Sequence, residues 1–199
     1  MLLYQIGLSL ARGARGEGVA IDCAPGDADA FWRASPFPPT AAQRRVLYEV
    51  QADLASGGAM ARMVQGDVGS GKTMIALGAV YLAASRGLQS ALMAPTEVLA
   101  AQHLASAQKL LAPLGVRAGL LTGSTTGRAR REALRAIASG EWDLAIGTHA
   151  LISQGVEYKN LALTITDEQH RFGVRQRAAL EDKGPSPNVL VMSATPIPR

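Results

Sequence analysis

Apolar residues along this chain alternate between short strand-like runs and longer helical stripes. From Thr40 onwards the first stripe is formed by Val46, Leu47, Val50 and Leu54, whose spacing predicts a helix. Strand and helix segments then follow in alternation. The predicted strands are 61–65, 90–94, 117–121, 143–147, 161–166 and 189–193. The predicted helices between them are 72–86, 96–112, 128–139 and 174–182.

This alternation predicts the fold class. Short apolar strands separated by helices indicate an α/β fold, with a mainly parallel sheet flanked by helices on both faces. Ligands of such sheets collect at the carboxyl ends of the strands. Candidate chemistry is therefore sought in the segments that directly follow each predicted strand.

The first 35 residues do not share the pattern. Residues 1–18 favour a short helix that breaks into a turn rich in Gly and Arg, and residues 24–39 are typical of a proline-containing linker. We expect 1–35 to be a connector from a preceding element, and 36–199 to form the folded domain.

Composition restricts the class of protein. The chain is 48% apolar and 18% charged, and it has no apolar run of membrane-spanning length, so we expect a soluble cytoplasmic protein with no membrane partner. Cys23 is the single cysteine, which excludes an intramolecular disulfide and a cysteine-rich zinc site within this sequence.

The net charge of +4 permits a polyanionic partner. Two basic groups stand out, and solvated helix faces explain them equally well. The first group shares one face of a predicted helix and consists of Arg128, Arg131 and Arg135. The second consists of Arg171, Arg175, Arg177 and Lys183.

A complete phosphate-loop motif, GDVGSGKT, lies between the strand at 61–65 and the next helix. Its glycines allow backbone N–H groups to point at phosphate oxygens, and the helix N-terminus adds partial positive charge. Lys72 would reach the β- and γ-phosphates of ATP, and the Thr73 hydroxyl would hold Mg²⁺. The predicted nucleotide-binding residues here are Gly66, Asp67, Val68, Gly69, Ser70, Gly71, Lys72 and Thr73.

Two adjacent acids end the strand at 161–166. Asp167 is predicted to join Thr73 at the Mg²⁺, and Glu168 to orient or deprotonate the attacking water. A strand-ending pair of acids is often only a solvated turn. Together with a complete phosphate loop, the pair predicts an ATPase site.

Several motifs together resemble the RecG family of ATP-dependent DNA helicases, which belongs to superfamily 2. They are QGDVGSGKT, MAPTEVLAAQH, LTGS, GTHALI, DEQHRFGVRQR and SATPIPR. The resemblance covers residues 35–199, and 1–34 resemble the connector from that family's wedge domain. The transcription-repair coupling factor is similar, but tends to carry a second Glu where this chain has Gln169.

The resemblance implies the first RecA-like motor domain of a monomeric, ATP-driven enzyme that remodels branched DNA, such as stalled forks and Holliday junctions. The second RecA-like domain, which supplies an arginine finger, and the wedge domain would not be part of this sequence. Because such a finger contributes about three to five powers of ten to turnover, we expect poor hydrolysis by this chain alone.

The resemblance also implies individual roles. Phe37 would stack on adenine and Gln43 would read its edge, although Thr40 and Gln43 equally form a capping box. A DNA strand would follow Pro95, Thr96, Glu97, Thr122, Gly123, Ser124, Thr148 and His149. Catalysis and coupling would involve Gln169, His170, Ser193, Ala194 and Thr195.

Three positions carry expectations of their own. His103 is interpreted as a helix-surface residue without a special role. Thr164 and Thr166 replace aliphatic residues that the family usually has, so a modest stability cost is expected if their hydroxyls are buried.

Two other interpretations remain open. A nucleotide-dependent switch that binds without translocating would need the same phosphate loop. The other interpretation is a partial product without activity. The site residues Lys72, Thr73, Asp167 and Glu168 are intact, which argues against decay of the site.

Overall fold

The computed structural model describes residues 18–67, 69–167 and 173–194. Their core is a six-stranded parallel sheet with the order β1-β6-β5-β2-β4-β3. The strands are β1 Ala61–Gln65, β2 Gln89–Met93, β3 Ala118–Leu121, β4 Leu144–Gly147, β5 Leu161–Asp167 and β6 Asn188–Ser193. The helices are α1 Asp27–Ala34, α2 Ala41–Ala55, α3 Lys72–Ala84, α4 Glu97–Leu111, α5 Gly127–Ser139 and α6 Val174–Glu181. Short 3-10 helices follow at Ala112–Leu114 and His149–Ile152.

Helices cover both faces of the sheet, as the alternating pattern predicts. One core cluster joins α1, α2, α3 and α4 to the sheet through side chains such as Leu47, Ile75 and Leu111. A second cluster joins α5 and α6 to the opposite face through Ile137 and Leu180. The predicted α/β fold with a parallel sheet is confirmed.

The segment expected to be a linker contains a helix instead. α1 buries Ala28, Phe31 and Trp32, and the Phe31 ring centroid lies 6.0 Å from that of Tyr81 on α3. These three residues share one helical face, and Asp27 in the first turn suits the helix dipole. The linker prediction is therefore wrong for Asp27–Ala34. The boundary at 35/36 stays a prediction, and the helix expected in 1–18 lies almost entirely outside the described residues.

The chain between residue 18 and α1 runs beside the amino ends of the strands. Ile21 N donates to Leu54 O at 2.9 Å, and Asn188 Nδ2 at the start of β6 donates to Val19 O at 2.8 Å. Cys23 is half-buried there, and burial raises the pKa of its thiol to about 11. This segment therefore packs at the edge of the sheet opposite the phosphate loop.

The two threonines of β5 are both buried, and they differ in their partners. Thr164 Oγ1 donates to Asn188 O at 3.2 Å. Thr166 Oγ1 has no hydrogen-bond partner among the described residues. The expected stability cost thus falls on Thr166 alone. Within the described part of the chain, no helix is both long enough and apolar enough to cross a membrane.

Candidate nucleotide and nucleic-acid edge

The phosphate loop leaves β1 and enters α3 with glycines in the conformations that the motif requires. Gly69 has φ 80° and Gly71 has φ 89°, both in the left-handed region that disfavours a β-carbon. Gly66 N donates to Ser193 O at 3.2 Å, which fixes the start of the loop to the end of β6. Gly71 is the N-cap of α3, and no described side chain caps this terminus. The start of α3 therefore presents N–H groups that suit an anion.

Lys72 lies across the loop. Its Nζ donates to Gly66 O at 2.6 Å and to Asp67 O at 2.9 Å. A phosphate oxygen would offer the same ammonium an anionic acceptor in place of these carbonyl oxygens. Thr73 follows it in the first turn of α3 and is half-buried. Val68 lies outside the described residues.

Asp167 ends β5 at the same edge as the phosphate loop. In the register of the sheet, Gln65 on β1 pairs with Ser193 on β6, and Asp167 on β5 pairs with Met192. Neighbouring strands lie about 4.8 Å apart, so the ends of β1 and β5 are about 10 Å apart. A metal-bound triphosphate can bridge that separation. Glu168, Gln169 and His170 lie outside the described residues.

His103 contacts the Asp167 carboxylate, so its interpretation as a helix-surface residue is wrong. The imidazole Nε2 lies 2.8 Å from Asp167 Oδ2, and the side chains are only 9% and 16% exposed. The missed signal was periodicity, since His103 belongs to the buried stripe of α4 with Ala100, Ala107 and Leu110. Its partner is 64 residues away in the sequence and could not be read from that stripe.

One of the two interpretations that the sequence left open for Gln43 is a capping box. Its Oε1 accepts from Thr40 N at 2.9 Å and Thr40 Oγ1 accepts from Gln43 N at 3.2 Å, which confirms the capping box. Its Nε2 donates to Ser70 O at 3.0 Å on the phosphate loop. An amide has two donors and two acceptor lone pairs, so capacity for a base remains. Phe37 is 71% exposed and free to stack. The adenine contact itself stays a prediction.

The residues predicted to follow a DNA strand lie at the carboxyl ends of β2, β4 and β3, which are neighbours in the sheet. Thr96 is the N-cap of α4 and its side chain accepts from Leu99 N at 3.2 Å. Thr122 and Thr148 are buried, whereas Gly123, Ser124 and His149 are exposed. The sheet thus assembles these separate loops, Pro95 included, into one row. Their contact with DNA stays a prediction.

Glu97 has a structural partner within that row. Its Oε1 accepts from Ser124 N at 3.0 Å and its Oε2 accepts from Ser124 Oγ at 2.7 Å. These hydrogen bonds, above all the one from the Ser124 hydroxyl, lower the pKa of the Glu97 carboxyl below its usual range. The carboxylate therefore connects the start of α4 to the loop at 122–124.

Ser193 and Ala194 lie between the two parts of the nucleotide site. Ser193 is buried at the end of β6, with β1 on one side and β5 on the other. A shift of this strand end would move the phosphate loop and Asp167 together. Thr195 lies outside the described residues, and the coupling role of all three stays a prediction.

Three residues of the two basic groups have ordinary structural partners. Arg128 pairs with Glu132 at 2.6 Å and Arg135 with Glu141 at 3.1 Å, on the exposed side of α5. Lys183 Nζ donates to Ser153 O at 3.1 Å and to Val156 O at 2.9 Å. These contacts favour solvated and structural roles. Arg171 lies outside the described residues.

The donor set suits a magnesium–nucleotide complex. The described residues contain no group of three His, Cys, Asp or Glu side chains that could hold a metal alone. Mg²⁺ is usually bound by one or two protein oxygens, substrate phosphates and water. Thr73 and Asp167 supply such oxygens beside a loop shaped for phosphates, so these residues fit the group.

The comparisons with known proteins agree with this arrangement. The family model described as DEAD/DEAH box helicase matches residues 40–199. The chain belongs to the DEAD/DEAH box helicase family, a class defined by a P-loop domain of this kind. Within it, the chain is similar to the ATP-dependent DNA helicase RecG of Bacillus subtilis, with 54% identity over 169 residues.

Other RecG proteins are equally similar. That of Streptococcus pneumoniae is 50% identical over 185 residues, and that of Escherichia coli K12 is 51% identical over 170. The alignments to these two and to the Bacillus protein cover 93%, 83% and 85% of this chain, but only 27%, 24% and 25% of the relatives. The chain thus spans about a quarter of their length, and the resemblance to RecG read from the motifs is confirmed.

Solved structures support the fold. A structure of RecG bound to a three-way DNA junction superimposes with a TM-score of 0.80 and 40% identity, covering 92% of this chain and 24% of that chain. Saccharomyces cerevisiae Dbp5 bound to RNA and ADP BeF3 gives a TM-score of 0.62 at 14% identity, covering 92% of this chain and 47% of that one. The first match confirms a RecA-like helicase domain, and the second shows the fold alone.

Proposed function

We propose that this chain is the ATP-binding half of an ATP-dependent motor that remodels branched DNA. The carrying observation is that one edge of a single sheet holds a complete phosphate loop with Asp167 beside a row of hydroxyl-bearing loops. The relatives named RecG, and one of them on a three-way DNA junction, support DNA as the substrate.

In this proposal each half of the edge has one task. The phosphate loop, Lys72 and the start of α3 bind the β- and γ-phosphates, Thr73 and Asp167 hold Mg²⁺, and Glu168 orients the water that attacks the γ-phosphate. The loops at 95–97, 122–124 and 148–149 position DNA through its phosphates, without reading sequence. Mg²⁺ neutralises the charge of the phosphates when it is bound.

Further parts of the proposal concern the whole protein. A second RecA-like domain would complete the ATP site, a wedge domain would engage the branch point, and Gln169, His170 and Ser193–Thr195 would couple loss of the γ-phosphate to domain movement. We propose a cytoplasmic monomer. The isolated chain should then bind Mg–ATP, hydrolyse it poorly and bind DNA weakly, with an affinity that falls as salt rises.

The test compares Lys72→Ala with Lys109→Ala, a substitution of equal charge near the end of α4. Binding of a fluorescent ATP analogue is followed with and without Mg²⁺. Lys72→Ala should weaken binding at least about tenfold, the loss of one charge-assisted contact. Lys109→Ala should bind as the unmodified chain does. Equal affinity of the two variants would refute the nucleotide site.

A nucleotide-dependent binding switch is the second candidate, favoured by the direct contact between α4 and Asp167. Fusing the chain to the remaining C-terminal part of a RecG relative separates the two candidates. ATPase activity stimulated by forked DNA, with strand displacement, supports the motor. Nucleotide-dependent DNA affinity without stimulated turnover supports the switch.

A further inference from the structure

The contact between His103 and Asp167 joins two halves of the sheet edge formed by the carboxyl ends of the strands. The nucleotide half lies at the ends of β1, β6 and β5, and the proposed nucleic-acid half lies at the ends of β2, β4 and β3. His103 belongs to α4, whose first residues form part of the predicted DNA path, and Asp167 belongs to the nucleotide half. We propose that His103 is a positioning residue, whose imidazole orients the Asp167 carboxylate for the magnesium–nucleotide complex. The inference rests on the proposed function and adds to it a residue that was interpreted from the sequence as having no special role.

The geometry makes the imidazole the donor. A carboxylate only accepts hydrogen bonds, so Nε2 carries the proton that Asp167 Oδ2 receives at 2.8 Å. Both side chains are largely shielded, so water competes weakly for the bond. Among the described residues, no other side chain hydrogen-bonds this carboxylate. The bond occupies one lone pair of Oδ2 and leaves Oδ1 unengaged by described side chains, and so available to a metal or to its water.

Both partners lie on regular secondary-structure elements. Asp167 is the last residue of β5, in register with Met192 of β6, and His103 lies on the buried stripe of α4. His103 is six residues after Glu97, or about 9 Å along the helix axis at 1.5 Å per residue. A displacement of α4 at its DNA-facing start would therefore reach the carboxylate through a rigid element.

A buried histidine with one partner is also compatible with a purely structural role. The two roles differ in what they predict for metal dependence. Residues that hydrogen-bond a metal ligand change metal affinity by about 10- to 100-fold when they are removed. A residue that only fills the core changes the stability of the fold and leaves the metal requirement of nucleotide binding as it was.

The experiment uses the full chain and three substitutions at this position. His103→Gln places an amide Nε2–H near the position of the imidazole donor, His103→Asn is polar but too short to reach Asp167, and His103→Leu keeps volume without a donor. Thr164→Val is the matched control, because it removes a buried side-chain hydrogen bond from the same strand at a distance from the site. The probe is a fluorescent ATP analogue titrated with MgCl₂.

The expected result is a shift in the Mg²⁺ concentration for half-maximal nucleotide binding. His103→Leu and His103→Asn should raise it by about tenfold, whereas His103→Gln should remain within about threefold of the unmodified chain. Nucleotide binding without Mg²⁺ should be unchanged in all of them. Thr164→Val should lower the melting temperature without moving the Mg²⁺ requirement.

Two outcomes overturn the inference. If the Asn and Leu variants require no more Mg²⁺ than the unmodified chain, or if Thr164→Val shifts the requirement as much as they do, His103 is a core residue only. Lys72→Ala, measured in parallel, separates this failure from failure of the proposed function. If Lys72→Ala binds nucleotide as tightly as the unmodified chain, the proposed nucleotide site is refuted. If Lys72→Ala binds more weakly but the His103 variants keep a normal Mg²⁺ requirement, only this inference is refuted.

Discussion

The two halves of the sheet edge at the carboxyl ends of the strands differ in the sequence range of their hydrogen bonds. The nucleotide half, at the ends of β1, β6 and β5, is connected by contacts between residues far apart in the sequence, such as Gly66 with Ser193 and Gln43 with Ser70. In the nucleic-acid half, at the ends of β2, β4 and β3, the polar contacts are mostly local. Thr96 bonds Leu99 N, and Thr122 N bonds Thr125 Oγ1.

This difference fits the tasks that we propose for the two halves. A triphosphate with its metal needs a cation, backbone donors and a carboxylate at fixed mutual distances, which only neighbouring strands can supply. A phosphate backbone needs hydroxyl and N–H groups at intervals, which each loop can provide by itself. The second half has two exceptions: Glu97 accepts from Ser124, 27 residues away, and Ala94 N donates to Gly147 O at 2.8 Å.

The largest expected effect is the loss of the nucleotide half by Gly71→Ala. A β-carbon there would displace the Gln43 amide from its contact with Ser70 O on the phosphate loop, and the φ of 89° disfavours any side chain. We expect nucleotide affinity to fall at least about tenfold, and the free energy of unfolding to fall by roughly 1–2 kcal/mol from backbone strain. Fluorescence titration and urea denaturation measure the two.

Gly115→Ala is the control for this substitution. Its φ of 79° imposes similar strain, but no atom lies within 4 Å of the added β-carbon. It should lose stability and keep nucleotide affinity. Normal affinity in Gly71→Ala would show that the loop accommodates a side chain, and the contrast between the two halves would then lose its basis.

A smaller effect is expected from Glu97→Ala in the nucleic-acid half. Without the acceptor for Ser124 N and Oγ, the loop at 122–124 loses its connection to α4, so we expect single-stranded DNA to bind about 3- to 10-fold more weakly. Glu97→Gln retains one acceptor and should lose less. Fluorescence anisotropy at fixed salt measures both, and nucleotide affinity should not change.

The sign of this effect is informative. If the carboxylate only repelled DNA phosphates, Glu97→Ala would bind DNA more tightly. Because hydrogen bonding lowers the pKa of Glu97, its contribution is complete above the ordinary carboxyl pKa and is lost only as pH falls through the lowered value. DNA affinity should therefore not change through this group between pH 6 and 8.

The smallest effects are expected on β5, where the two halves meet. Thr164→Val removes a hydrogen bond to Asn188 O and should lower the free energy of unfolding by about 1 kcal/mol. Thr166→Val removes a buried hydroxyl without a described partner and should raise it by about 1 kcal/mol. Urea denaturation measures both. Changes of opposite sign in the free energy of unfolding would support a bonded hydroxyl at Thr164 and an unbonded one at Thr166. A lower free energy of unfolding in Thr166→Val would show that its hydroxyl has a partner.

The sequence predicted the strands and most helices closely because local pattern decides them. The run 61–65 coincides with β1, and 128–139 differs from α5 by one residue. In β5 and β6 buried apolar residues predominate. The helices carry apolar stripes and end at residues such as Gly140, the C-cap of α5, whose φ is 75°. Motif position was sufficient to locate the phosphate loop and Asp167 at one edge.

The predictions for α1 and His103 were wrong because both depend on tertiary contacts, which the local sequence pattern does not contain. α1 has only eight residues and is flanked by Gly and Pro, which are typical of loops. Its apolar face is buried by packing on α3, where Phe31 contacts Tyr81. His103 falls on a stripe that is otherwise apolar, and its polar partner comes from another element. Local periodicity states which side of a helix is buried but not which residue lies beneath it.

The half-buried Cys23 gives the molecule a practical handle. The sequence contains no other thiol, and this one sits beside the amino ends of the strands, which in the five-residue β1 are about 17 Å from the carboxyl ends. Its raised pKa means that a maleimide dye would couple slowly near neutral pH and faster in alkaline buffer. Once coupled, a single fluorophore would mark every molecule at the same position, so that tethering and imaging could proceed without covering the edge where we propose that the ligands bind.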